Sequence, residues 1–255
     1  MKHLLLLLLA FLAGCASVPA IDDDKAARIV TLAEAGNAEA QYHVGMFYNN
    51  GMAGMTRDPR RAFAWFQKAA AGGDPLGAYK LGCYYAGQFP GAVEADEDQA
   101  LAMKLVAAEA GYSLAQSDVA NLYYNRQNYP EAVRWWTRAT QQGLTGAHYA
   151  LHTIYHKGTG GLKDPKLAYV HYRLAYKNGQ GDLRPEATTI LGYLAEKLSA
   201  EERAAADAEI AAFVAKPTKL TIAALGARKR VDALLAMPRE KKGPVPAIVA
   251  ASGLH

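Results

Sequence analysis

The chain has 255 residues, with 28 basic against 24 acidic side chains and only two cysteines. It is long enough to bury a sizeable core, and its formal charge of +4 is too small to argue for nucleic acid. Alanine is abundant and strand-type alternation is missing, so the expected class is all-α, with almost no sheet.

The start is basic and then strongly apolar: Met1-Lys2-His3, leucines from Leu4 to Leu9, then Ala10-Phe11-Leu12. Such a run is shorter than the ~20 apolar residues needed to span a bilayer and reads as a secretory signal peptide. It ends in Leu12-Ala13-Gly14-Cys15, which resembles a bacterial lipobox. That resemblance implies cleavage after residue 14, lipidation of Cys15, and a short lipidated tether over residues 15–21. The alternative is an ordinary signal peptide with an incidental cysteine. Ala16 follows the cysteine, where an aspartate would favour retention in the inner membrane. The expected location is therefore the outer membrane, lipid-anchored and facing the periplasm. With Cys15 acylated no intrachain disulfide remains, and Cys83 reads as a packed thiol.

Asp22 to Ala35 reads as a single capping helix, and a repeat follows it. Its most legible part is an alanine, a second alanine seven residues later, and a glycine four after that. The copies are Ala62, Ala69, Gly73; Ala100, Ala107, Gly111; Ala132, Ala139, Gly143; and Ala168, Ala175, Gly179. A larger residue stands three places into each: Trp65, Met103, Trp135 and His171. Each of these helices is preceded by another with its own pattern: a small residue, an aliphatic four later, glycine or a substitute next, and tyrosine eight after the small residue. These read Ala40, Val44, Gly45, Tyr48; Gly77, Leu81, Gly82, Tyr85; Ala115, Val119, Ala120, Tyr123; and Ala147, Leu151, His152, Tyr155. A fifth, decayed copy reads Ala187, Leu191, Gly192, Ala195. At 100° per residue the first, fifth and ninth places share one stripe roughly 80° wide, the expected buried face, and the glycine beside it lets a neighbouring helix come close. The loop between the two helices ends in an acid four before the alanine, Asp58, Asp96 or Asp164, and Asp-Pro at 58–59 and 164–165 is a strong helix start.

A helical period in the thirties marks a stacked α/α superhelical solenoid. The residues from Ala40 to Gly51, with Asp58, Ala62, Trp65, Ala69-Ala70 and Gly73, resemble the Sel1-like repeat family, which is related to tetratricopeptide repeats. The fourth copy matches nearly as well through Ala147, Leu151, Tyr155, Gly158, Asp164, Ala168, Ala175 and Gly179. The resemblance covers about residues 37–215. The solenoid with its capping helices is expected over residues 22–215, closed by a helix that Ser199-Ala200-Glu201-Glu202 opens as a capping box. Residues 216–255 are expected to hold one weakly amphipathic helix, from Leu220 to Met237, and a poorly ordered tail. The run Arg228-Lys229-Arg230 in that helix reads as a solvated face, with contact to anionic lipid as the alternative.

No nucleophile elbow, HExxH run, phosphate loop or paired-carboxylate motif is present. The expectation is a non-catalytic protein with no cofactor. His148, His152 and His156 stand at i, i+4 and i+8 with His171 in the partner helix. Neighbouring pairs at that spacing can share zinc, but the stripe turns away and no Cys, Asp or Glu completes it, so no metal site is assigned. Some Sel1-like proteins rich in paired cysteines have β-lactamase activity, and this chain lacks those cysteines.

The better candidate is a surface. On each first helix, offsets 2, 6 and 9 from the small residue fall at about 200°, 240° and 180°, opposite the buried stripe. They are Tyr42, Met46 and Asn49; Tyr79, Cys83 and Ala86; Ser117, Asn121 and Tyr124; and Tyr149, Thr153 and His156. In related solenoids this face lines the concave groove. A tyrosine and asparagine lining suits recognition of a partner protein, whereas the alternative is tyrosines that only pack between repeats. The resemblance implies two contexts: immunity proteins that neutralise secreted toxin effectors such as phospholipases, and scaffolds in envelope or exopolysaccharide export. A glycan-binding envelope accessory is a third.

Overall fold

The computed structural model describes residues 23–177 and 185–236. The signal segment, Cys15 and its tether, and the tail beyond residue 236 lie outside the described residues. Among those described, thirteen α-helices and one short 3-10 turn are present and there is no strand. None of the helices is long and apolar enough to cross a membrane.

The capping helix is α1 (Asp23–Glu34). Four helix pairs follow: α2 (Ala38–Asn50) with α3 (Pro59–Ala71), α4 (Pro75–Tyr85) with α5 (Glu97–Glu109), α6 (Ser113–Asn125) with α7 (Tyr129–Gln141), and α8 (Thr145–Lys157) with α9 (Pro165–Lys177). The decayed copy supplies α10 (Pro185–Ala195), and α11 (Ala200–Ala212) closes the array against α9. The helices of each pair pack on one another, and the second of each packs on the first helix of the next, which makes the α/α solenoid.

The boundaries follow from local chemistry. Asp58 accepts from the Arg61 amide, Asp96 from the Asp98 and Gln99 amides, and Asp164 from the Leu167 amide. Where the third copy has no acid, Asn128 does the same work on the Glu131 amide. The capping box at α11 forms as expected, with Ser199 and Glu202 bonding each other's backbone. Satisfying these otherwise orphaned first-turn amides stabilises each helix by ~1 kcal/mol.

The alanine stripe is the core. Ala62, Ala69, Ala100, Ala107, Ala132, Ala139 and Ala168 have no exposed surface, and neither do Ala40, Ala115 and Ala147 on the first helices. The glycine beside the stripe is needed for closeness: a Cβ on Gly45 would stand 2.6 Å from the Phe66 ring. One apolar cluster runs from α2 to α8, a second surrounds α9, α10 and α11, and a third joins α1, α2 and the far C-terminal end.

That last contact corrects the C-terminal reading. Instead of one helix from Leu220, the chain forms α12 (Lys219–Leu225) and α13 (Ala227–Ala236), broken at Gly226, where φ is −101° and ψ is 43°. Glycine in a helix interior costs ~1 kcal/mol relative to alanine, and here the break lets the halves serve different repeats. From Phe213 the chain turns back and runs along the solenoid towards its start. The Lys216 amide donates to the Gln141 carbonyl at 2.8 Å. Thr218 and Thr221 sit on the turn at Gly111, and α13 reaches α1 and α2. Arg230, read from sequence as part of a solvated basic run, is partly buried, with 13% of its side chain exposed, and ion-paired to Glu39 at 2.8 Å and Asp74 at 3.3 Å. The side chain of Arg228 lies outside the described residues.

Candidate functional site

The face opposite the alanine stripe divides into two zones. In the first two pairs it is largely covered. Tyr42 is buried against the rings of His43 and Phe66, and the Arg230 guanidinium stands 5.2 Å above it. Asn49 is buried because its Oδ1 accepts the Tyr84 hydroxyl of the next first helix at 2.8 Å. Met46 is half-buried. Tyr79 is half-buried, edge-on to Tyr112 at 5.0 Å, and Cys83 is buried beside it. These side chains join successive repeats and do not offer themselves to a partner as they stand. Burial pushes the Tyr42 and Tyr112 phenols up to about 12 and raises Tyr79 and the Cys83 thiol as well, so all four are neutral packing groups at pH 7.

From the third pair onwards the same face opens. Asn121 is exposed, with its Oδ1 accepting from Trp136 Nε1 at 3.2 Å. Ser117 is half-buried, and Tyr124 is held between Tyr129 and Trp136. On α8, Tyr149 keeps 54% of its surface exposed. Thr153 donates to the Tyr149 carbonyl one turn back at 2.9 Å, and His156 is exposed, stacked on His152. Tyr193 extends the same row onto α10, with 50% exposure and a T-shaped contact to His156 at 6.1 Å. Lys197 Nζ lies 4.8 Å from the Tyr193 ring centroid. Tyr193 is not among the residues expected from sequence, although it stands at offset 6 from Ala187 in the decayed copy, and the same pattern carried one repeat further finds it. This zone therefore presents rigid aromatic rings with polar tips, alternating with amides and hydroxyls.

The histidines do not converge on one point. His148 Nδ1 faces His171 Nδ1 at 3.1 Å, and His152 Nδ1 faces the Ala168 carbonyl at 3.0 Å. The 3.1 Å pair requires one ring to carry its proton on Nδ1 and the other to leave Nδ1 bare. Burial holds the pKa of His148 at about 4 and, with the neighbouring imidazoles His148 and His152 adding to it, that of His171 at about 3. Among the described residues no group of three His, Cys, Asp or Glu side chains could hold a metal ion. An open depression of about 740 Å³ between α6, α7 and the returning chain is lined by side chains such as Gln116, Arg138, Gln141 and Lys216. The open zone offers aromatic rings, amides and hydroxyls, the groups that bind a partner surface.

Comparison with known proteins matches the Sel1 repeat family model at residues 38–74, 75–112, 113–144 and 147–180. An uncharacterised protein of Neisseria meningitidis serogroup B is 40% identical over 162 residues, which is 64% of this chain and 32% of that protein. The ERAD-associated E3 ubiquitin-protein ligase component HRD3A of Arabidopsis thaliana is 44% identical over 54 residues, 21% of this chain and 8% of that protein. The chain thus spans a third or less of the length of these curated relatives. Among solved structures, the Sel1 repeat protein from Oxalobacter formigenes is similar at 26% identity with a TM-score of 0.57, covering 65% of this chain and 67% of that one.

Proposed function

The chain belongs to the Sel1 repeat family, and from that premise we propose that it binds a partner protein through the open face of its third to fifth repeats. Sel1 repeats mediate protein–protein interaction and are generally non-catalytic scaffolds. HRD3A is, by its name, a component of a larger assembly. One observation carries the proposal: Tyr149 and Tyr193 stay half-exposed on the face that the preceding repeats use for packing. Large aromatic rings with few rotatable bonds are the usual anchors of an interface, and Asn121, Thr153, His156 and Lys197 can form the surrounding rim.

The finer reading is that of a lipoprotein acylated at Cys15, held on the periplasmic face of the outer membrane, and acting as an immunity protein against a secreted toxin effector such as a phospholipase. Its support is the lipobox-like Leu12-Ala13-Gly14-Cys15 and the context that the family resemblance supplies. The alternative contexts remain an envelope or polymer-export scaffold and a glycan-binding accessory.

The test is co-expression with candidate toxin effectors of the phospholipase class. The parent chain is expected to restore growth, and Tyr149→Ala with Tyr193→Ala together are expected to lose protection while keeping the parent's melting temperature within about 2 °C, since exposed positions contribute little to stability. Undiminished protection by the double variant would refute the face, and no protection by the parent would refute the immunity role.

A further inference from the structure

At the opposite end of the solenoid, α13 occupies a seat built for a helix of particular chemistry. Its polar half is a guanidinium receptor. Arg230 Nε donates to Glu39 Oε1 at 2.8 Å and Nη2 to Asp74 Oδ2 at 3.3 Å, and the guanidinium lies 5.2 Å from the Tyr42 ring centroid. Two carboxylates and an aromatic face are the groups that recognise arginine best. Its apolar half is the cleft between α1 and α2, where Val231 and Leu234 pack with Ile29, Val44 and Phe47. The occupant is thus read as arginine with apolar residues one and four places later on one helix.

Three features make this occupancy reversible. The break at Gly226 separates α13 from α12, and α12 keeps its own attachments through Thr218 and Thr221. Arg230 Nη1 is buried without a hydrogen-bond partner. Nε2 of His43 stands 3.9 Å from Glu39 Oε1 and shares that carboxylate with Arg230. A buried polar atom left unpaired opposes closure, so α13 fills its seat with the Arg230 Nη1 penalty outstanding. The remaining pins sit at the rim: Lys25 with Asp232 at 3.3 Å, both exposed, and Arg28 with the Leu235 carbonyl at 2.8 Å. Rim ion pairs contribute little.

We propose that this seat is a second binding site, one that accepts an amphipathic helix of a partner protein carrying arginine with apolar residues at the next and fourth following positions, and that α13 is its intramolecular competitor. Helix-in-groove recognition works through anchors at such spacing. The site lies apart from the open face of the later repeats and does not depend on what binds there.

The experiment is fluorescence anisotropy with a labelled synthetic peptide of residues 225–237 as probe. It is titrated into the full parent chain, the Arg230→Ala variant, and the Arg230→Ala, Asp74→Asn double variant. Because α13 competes from a tethered position, the Arg230→Ala chain is expected to bind the peptide at least about tenfold more tightly than the parent. The double variant, and a peptide with alanine in place of arginine at position 230, are expected to lose that gain. Equal binding to parent and Arg230→Ala, or indifference to the peptide's arginine, would overturn the proposal. Concentration-dependent dimerisation of the chain that the peptide blocks would make the occupant a second copy and likewise overturn it. Native-state hydrogen exchange on the parent decides independently of any variant. Amides of α13 are expected to exchange through an opening that leaves α2 to α5 protected, and exchange only together with those helices would overturn reversible release.

Discussion

Thr221→Val removes one hydroxyl and almost no volume, and its cost can be worked from four contacts. Thr221 is 5% exposed. Its Oγ1 accepts from the Ser113 amide at 3.0 Å and donates to Gln142 Oε1 at 2.7 Å, with the Gly111 carbonyl at 3.1 Å also claimed by the Thr218 hydroxyl at 2.7 Å. The residue before α6 is Tyr112, which offers its helix no side-chain cap. Thr221 therefore caps α6 from 108 residues away. Losing a cap costs ~1 kcal/mol, and losing the donated bond to Gln142 adds ~1, the sum being about 1–3 kcal/mol. For a chain of this size a kilocalorie moves the melting temperature by about 2–4 °C, so the expected fall is about 2–12 °C. Thr221→Ser keeps the hydroxyl and is expected to recover most of it. Circular dichroism gives the melt, and hydrogen exchange reports the Ser113 amide itself, which is expected to lose protection in the valine variant alone. A valine variant that melts within about 1 °C of the parent with Ser113 still protected would refute the capping argument.

Ala69→Leu is expected to overpack the interface between the first two pairs, where the Ala69 methyl already stands 2.6 Å from the position of a Cβ on Gly77, and to cost ~1–3 kcal/mol in urea unfolding; an unchanged midpoint would refute the packing. Tyr84→Phe leaves Asn49 Oδ1 without the 2.8 Å bond it accepts and is expected to cost ~1 kcal/mol by the same measurement. His148 and His171, held at about 4 and about 3 in the fold, bind fewer protons than in the unfolded chain near 6.5. Their contribution is intact above pH 6.5 and is lost as pH falls towards 4, at about 1.4 kcal/mol per pH unit for each ring. Melting temperatures at pH 7.5 and 5 are expected to differ less in a His148→Phe, His171→Leu variant than in the parent, and a parent insensitive between those values would refute the assignment.

The repeats were legible because every signal lies within about forty residues: alanines at seven, glycine at four, an acid or Asn128 before each second helix. Helical phase also located the face opposite the stripe, but phase alone does not say what covers it. Asn49 faces outward from α2 and is then sealed by Tyr84 of α4, whereas Tyr149 on α8 stays 54% exposed and the decayed copy places Gly192 in open space. The returning segment was least legible. Arg230 is set apart from exposed Lys229 by Glu39 and Asp74, 191 and 156 residues earlier, and no local pattern announces such partners.

That return path also sets an order of events. A stacked array can acquire structure from its beginning while its end is still being made, because each unit needs only its neighbour. Here the Asp74 carboxylate, buried at the second pair, waits for a cation supplied by residue 230. The first repeats can thus be shaped early but are completed last, once nearly the whole chain has emerged. A chain ending before α12 would carry its defect at the opposite end of the molecule, in the part made first.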